Sequence, residues 1–308
     1  MTYMEAGSEY RQKRTGTFFR RNKLLITPLV FIAPAFAMFS LFVIWPIIQS
    51  VVLSFYEWQG IGPKTWIGLA NYRELFGDQV FWTSLVNNLY WLILFLLAPV
   101  LGLLIALFLN QNVFGIRLVK SLFFFPFVIS QIVVGLIFAW FYDPAFGLLS
   151  TLLKPFGLKF PAILASEDWA TIGIIVAGLW PQTAYCMILY LTGLNSVNPE
   201  MIEAARLDGA RGSRLLVKIV LPQLRAATFI AMVVTVIGAL RSFDLVAIMT
   251  GGGPYNSSNV LAFYMYDNAI FRYRMGYASA IATILFLIMD LYIAWFLMRL
   301  LKNEKGSR

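Results

Sequence analysis

The sequence predicts an all-α integral membrane protein with six transmembrane helices and both termini on the cytoplasmic side. Three observations predict it. Of 308 residues, 60% are hydrophobic and 13% are charged, against roughly 45–50% and about 25% in soluble domains. Apolar runs long enough to cross a hydrocarbon core of about 30 Å recur along the chain. The basic residues fall mainly on alternate connecting segments, as the positive-inside rule requires. The net charge of +9 is then a consequence of topology and calls for no nucleic-acid partner.

The elements follow in order. Residues 1–23 are a basic cytoplasmic segment. The first apolar run, 24–56, lies between Lys23 and Glu57. It is too long for the apolar part of a signal peptide and has no small-residue cleavage site, so it reads as a retained first span. Runs 79–116, 121–142 and 169–199 supply spans two to four. The fifth, 226–248, contains Arg241 and Asp244, and the sixth, 277–298, contains Asp290. A carboxylate within a span is costly, so Asp290 is expected to face protein or water and to pair with a neighbour. The membrane domain therefore covers 24–301, and 302–308 is a cytoplasmic tail. With the N-terminus inside, Lys64, Arg73, Lys154, Lys159, Arg241, Arg272 and Arg274 fall outside, and the other 17 of the 24 basic residues fall inside. Pro28, Pro34, Pro46, Pro99, Pro126 and Pro181 lie in or near spans, where each removes a helix hydrogen bond and favours a kink.

Several chemistries are excluded. The chain has no histidine and one cysteine, Cys186, which leaves no His–metal site and no internal disulfide. Cys186 stands in an apolar run and reads as a small packing residue. No Gly-Lys-Ser/Thr phosphate loop occurs, so the chain does not bind ATP by that route. A proton-coupled carrier would draw on Asp244 and Asp290, the two carboxylates inside spans.

The segment between spans four and five has its own signature. Asn198 is suited to cap a helix whose first residue is Pro199, and Glu200 and Glu203 favour that helix's N-terminal end. Gly209 permits a reversal. A second, basic helix follows and stops near Pro222. The loop 198–222 therefore reads as helix–turn–helix, and Ala204, Ala205, Gly209, Ala210 and Gly212 leave room for another protein's backbone. It has the form of a docking element.

The spacing Glu203-Ala204-Ala205, three residues, Gly209, nine residues, Ile219-x-Leu221-Pro222 resembles the EAA loop of permease subunits of binding-protein-dependent ABC importers at each defined position. Three more stretches are similar to the carbohydrate-uptake branch, which contains maltose, glycerol-phosphate and oligosaccharide permeases. They are Ile67-Gly68-Leu69-Ala70-Asn71-Tyr72, then Phe243-Asp244 leading to Thr250-Gly251-Gly252-Gly253-Pro254, and Gly276-Tyr277-Ala278-Ser279-Ala280.

The resemblance implies a non-catalytic, multi-pass subunit of the bacterial inner membrane. Its implied partners are a second homologous permease, two ATP-binding subunits that hold ATP and Mg, and an extracytoplasmic solute-binding protein; this chain would hold no cofactor. Glu203, Ala204, Ala205, Asp208 and Gly209 would couple it to the ATPase, with Glu203 meeting a basic residue there and Gly209 shaping the turn. Aligned with the maltose permease subunit, the sugar-contacting positions fall on Pro181, Gln182, Tyr185, Thr235, Ala239 and Ser242. Trp180, Gln182 and Tyr185 add a stacking face and hydrogen-bonding groups that suit a sugar. Gln182 stands in place of a small residue and Ala239 in place of an amide, while Arg241 appears where that relative is uncharged. Arg241 either contacts an anionic sugar derivative or pairs with Asp244, three residues on along one helical face. A polyol, glycerol-phosphate or other anionic sugar derivative is the alternative cargo, and a self-sufficient proton-coupled carrier the alternative class.

Overall fold

A computed structural model of the chain describes residues 31–111 and 113–305. The expected cytoplasmic segment 1–23, the start of the first run with Pro28, and the last three residues of the tail lie outside the described residues. The described chain divides into two units between Leu53 and Ser54. In the first, helix α1 runs Phe31–Leu53. It has no buried residue within the chain, and a π-helical turn at Ser40–Ile44 directly precedes Trp45 and Pro46. Such a turn accommodates the carbonyl that proline leaves unpaired.

The second unit opens with a two-stranded antiparallel pair, β1 Tyr56–Glu57 and β2 Thr65–Trp66, followed by helix α2 Ala70–Gly77. Helix α3, Gln79–Leu109, is the second span. Asp78 caps it by accepting the Val80 N–H. The helix is interrupted at Leu96, three residues before Pro99, where the missing proline N–H leaves the preceding turn short of a bond.

The third span departs from the single helix expected over 121–142. It consists of α4, Ile116–Val128, and α5, Gln131–Phe141, bent by 99°. Pro126 sits in the last turn of α4 and cannot donate to the carbonyl four residues earlier. Ile129 and Ser130 then take extended backbone, with ψ of 138° and 140°. The short helix α6, Leu148–Leu153, leads to α7, Ala170–Asn195, the fourth span and the most buried of the crossing helices. Alpha-helix α8, Pro199–Leu207, and α9, Gly212–Gln223, form the expected helix–turn–helix. Helix α10, Arg225–Leu240, leaves α9 at 71°.

The fifth run also departs from expectation. It ends as a helix at Leu240 and resumes as α11, Asp244–Met249. The Ser242 hydroxyl turns back to donate to the Ala239 carbonyl at 2.6 Å, competing for the last free carbonyls of α10. Arg241 and Asp244 consequently do not share a helical face. Among the described residues the ion pairs are Arg272–Asp267 and Arg274–Glu74; Arg241–Asp244 is not one of them. Helix α12, Leu261–Tyr266, precedes α13, Met275–Lys305, whose segment Met275–Trp295 can cross the membrane. Asp290 is exposed on α13 and takes part in neither of those ion pairs.

Helix α7 is central. It packs closely along α3 and touches α4, α5 and α10. The α3–α7 approach depends on Gly102: a Cβ there would lie 2.6 Å from Cys186 Cβ and 2.7 Å from the Met187 nitrogen. Cys186 is fully buried, which agrees with its reading as packing.

Candidate functional site

Two of the sequence-predicted positions, Gln182 and Thr235, come together between α7 and α10. Gln182 Nε2 donates to Thr235 Oγ1 at 2.9 Å, and the Cys186 thiol, one turn along α7, lies 3.4 Å from the same oxygen. Thr235 and Ala239 are fully buried, so within this chain they support Gln182 and the helix packing and offer no surface of their own. Pro181 is buried as well. Ser242 is half-buried and Arg241 exposed, both at the α10 break.

Tyr185 lies on a different line of α7. Its ring stacks on Phe127 of α4, with centroids 4.9 Å apart and planes 5° from parallel. Trp180 does not join Gln182. It packs against Phe138 at 5.8 Å and lines a cavity of about 780 Å³ with Leu101, Phe123, Pro126, Phe141 and Met187. That cavity is apolar apart from Thr183, so Trp180 faces a hydrophobic space, whereas Gln182 turns to Thr235.

The helix–turn–helix is built as a closed unit. Asn198 Oδ1 accepts the Glu200 N–H at 2.8 Å, as an N-cap does. The Asn198 N–H in turn donates to Gln223 Oε1 at 3.0 Å, and Gln223 Nε2 donates to the Ile219 carbonyl at 3.1 Å. The start of α8 is thus tied to the end of α9. At the other end, Gly209 has φ +83°. Its N–H donates to the Arg206 carbonyl at 3.1 Å, and the Ala210 N–H reaches the Ala205 carbonyl at 2.8 Å. This is the Schellman pattern, for which glycine is favoured because it has no Cβ to clash at positive φ. Ala205 is buried, whereas Glu203, Ala204, Asp208 and Gly209 are exposed. Leu207 is 90% exposed. On the opposite side Ile202, Val220 and Leu221 pack onto the cluster of Leu224, Met187, Tyr190 and Ala231, which joins the loop to the spans. Arg206, Arg211 and Leu215 border a cleft of about 350 Å³ beside the turn.

The other motif stretches prove to be fastenings at the far ends of the spans. Asn71 donates to the Ser54 and Tyr56 carbonyls at 2.8 and 3.0 Å. Gly276 lies so close to β1 that a Cβ would fall 1.9 Å from the Tyr56 carbonyl. Tyr264 and Tyr277 both donate to Asp78. Burial pushes the Asp78 carboxyl up, but these hydroxyls and the Val80 and Phe81 N–H groups outweigh it and hold the carboxyl below its ordinary 3.8. The loop after Thr250 is fixed by two residues that motif reasoning passed over. Asn87 donates to the Ser257 and Asn259 carbonyls at 2.6 and 2.8 Å, and Asn88 accepts the Leu261 N–H at 2.9 Å. An adjacent pair of amides in an otherwise apolar run was the available signal, since a buried polar group in a span must be satisfied.

Residues 98–303 match the family described as binding-protein-dependent transport system inner membrane component. The chain belongs to this family. The permease is 38% identical over 292 residues to the probable ABC transporter permease protein YurN of Bacillus subtilis (strain 168), covering 92% of this chain and 99% of that protein. It is 31% identical over 264 residues to the sulfoquinovosyl glycerol transport system permease protein SmoG of Agrobacterium fabrum (strain C58 / ATCC 33970), covering 84% and 85% of the two chains. In fold the permease matches a chain of a bacterial ABC transporter involved in the import of the acidic polysaccharide alginate, with a TM-score of 0.79 at 23% identity over 93% of this chain and 98% of that one. It is an ABC importer permease, a multi-pass membrane component of transport.

Proposed function

We propose that this permease forms half of the path for a sugar or sugar derivative delivered by a solute-binding protein in a bacterial inner membrane. A second, similar permease would complete the path, and two ATP-binding subunits would hold ATP and Mg and drive it. The observation that carries the coupling is the construction of the α8–α9 unit. Its exposed side carries Glu203, Ala204, Asp208, Gly209 and Leu207, while its other side is packed into the core beneath α7 and α10. A push on α8 would therefore be passed to the spans with little lost in the loop. Near-complete switching of a two-state bundle needs about 5.5 kcal/mol of bias, which a nucleotide-driven engine must deliver through this contact.

The solute would pass Gln182, Tyr185, Ser242 and Arg241, which combine hydrogen-bonding groups, an aromatic face and a cation. Trp180 would shape the neighbouring apolar wall, with Thr235, Ala239 and Pro181 behind. The test is uptake of labelled solute by the complete transporter. Glu203→Lys, and separately Gly209→Asp, should reduce uptake at least tenfold while the permease still inserts. Uptake at the wild-type rate by both variants would overturn the coupling role.

One observation favours an anionic derivative as cargo. Arg241 is exposed and the helix break denies it Asp244, leaving a guanidinium free to take a phosphate or sulfonate in bidentate fashion. The relative SmoG, named for sulfoquinovosyl glycerol, and a relative named for sn-glycerol-3-phosphate, UgpA of Agrobacterium fabrum, 29% identical over 270 residues, support the same reading.

A further inference from the structure

Tyr255 and Asn256 have φ of +48° and +64°, the left-handed region that a bulky side chain rarely enters and that asparagine tolerates. Tyr255 is 88% exposed, so no packing of its ring within the chain offsets the strain. The segment around it is nevertheless fixed at many points. The Ser257 N–H donates to the Pro254 carbonyl at 2.8 Å, and the Ser258 N–H to the Gly252 carbonyl at 3.2 Å. The buried Ser258 hydroxyl donates to the Gly253 carbonyl and lies 2.8 Å from Thr250 Oγ1. Asn259 Nδ2 donates to Asn256 Oδ1 at 3.3 Å. Strained residues persist where their surroundings over-determine them, and they cluster at functional sites. The place of the loop follows from α7. Thr171, in the first turn of α7, donates to the Ser257 carbonyl at 3.3 Å, and the other end of α7, at Asn195, leads into α8. At 1.5 Å per residue these points are roughly 36 Å apart. With α8–α9 on the ATPase side, the loop is on the outer side. Thr171 and Gln182 are three helical turns apart on one line of α7, so the loop stands on the Gln182 side, roughly 16 Å further out. Helix α11 reaches the same loop from the break that holds Arg241 and Ser242.

We infer that the Tyr255–Asn256 tip is an entry subsite, where the Tyr255 ring stacks on the apolar face of a sugar ring before the solute reaches Gln182 and Arg241. This deepens the sugar-path reading and rests on it. A sugar ring has a C–H face and a rim of hydroxyls. An exposed aromatic ring meets the first, and the Asn256 amide, whose oxygen is held by Asn259 and whose NH2 group is left to donate, meets the second. The strained, many-times-tethered backbone holds the ring in place beforehand, so little ordering is left for the encounter.

The test uses the complete transporter in nanodiscs with its cognate solute-binding protein. Labelled neutral and phosphorylated mono- and disaccharides are screened, and the probe is the one the wild type takes up fastest. At saturating loaded binding protein, Tyr255→Ala should lower uptake about fivefold or more, and Tyr255→Phe should keep it within about twofold. Tyr255→Asn suits the left-handed backbone and removes the ring. It should therefore keep the wild-type thermal midpoint or exceed it, yet lose uptake as Ala does. The affinity of the loaded binding protein for the transporter, read by fluorescence anisotropy, should be the same in all four proteins. Wild-type uptake by Tyr255→Asn would overturn the inference, because the backbone shape alone would then suffice. Loss by Tyr255→Phe equal to that by Ala would overturn the stacking. So would a weakened affinity for the binding protein with full uptake at saturation, which would make Tyr255 a protein-docking contact. If the wild type takes up none of the sugars, the sugar-path reading falls, and this inference with it.

Discussion

Asp78 holds together three pieces of chain that are far apart in sequence: the cap of α3, Tyr264 of α12 and Tyr277 of α13. Its carboxyl titrates below 3.8 in the folded chain. The stabilisation is therefore complete above the unfolded value and is lost as pH falls through the lowered folded value. Asp78→Ala leaves the hydroxyls of two buried tyrosines short of an acceptor and should cost about 1–3 kcal/mol. The check is the thermal midpoint in detergent from pH 7 to pH 3: the wild-type midpoint should drop below pH 4, and the variant, already lower at pH 7, should lose the acid-sensitive part. A pH profile unchanged by the substitution would assign the network no energetic weight. The sequence showed Tyr277 as part of a motif but not its acceptor, because nothing in a linear chain relates position 78 to 264 or 277.

At the scale of elements, the closest seam is α3 on α7 at Gly102. A side chain there would meet the Cys186 Cβ and the Met187 backbone, neither of which can swing aside. Gly102→Ala should cost about 1–3 kcal/mol by overpacking, and Cys186→Ala should not relieve it, since the Cβ and backbone remain. Thermal unfolding followed by tryptophan fluorescence measures both; a midpoint for Gly102→Ala equal to wild type would show that the helices can separate freely. The α8–α9 unit was legible from residues alone, because its cap, its Pro199 and its Gly209 are local signals acting within one or two turns. The breaks at Ile129 and at Arg241 were not. Hydropathy measures the apolar character of a run and is indifferent to whether the run bends. Pro126 favoured a kink, but comparable prolines such as Pro181 sit inside an unbroken α7, so the same residue type has both outcomes.

At the scale of the whole molecule, the break after α10 enters the proposed preference for an anionic solute. With Arg241 free of Asp244, competition assays on the complete transporter should show an anionic sugar derivative preferred over its neutral parent. Arg241→Gln should reduce uptake of the anion at least tenfold and leave the neutral sugar within about twofold, as the loss of a charge-assisted bidentate contact predicts. Equal losses for both solutes would make Arg241 a structural residue. The division between sequence and fold has a physical basis throughout. Composition, apolar run length and the placement of basic residues determined that the chain enters a membrane several times, because partition between water and lipid depends on summed local surface. The resemblance carried by Glu203-Ala204-Ala205 and Gly209 pointed to the transport class, because that motif is a short local pattern of residues. Only the tertiary structure decided that Gln182 bonds to Thr235, that Trp180 packs on Phe138 instead and that Arg241 and Asp244 are parted by a helix break. Each of these depends on the rotation and bending of one helix against another, and that is set by close contacts such as Gly102 on Cys186, summed over residues far apart in the chain.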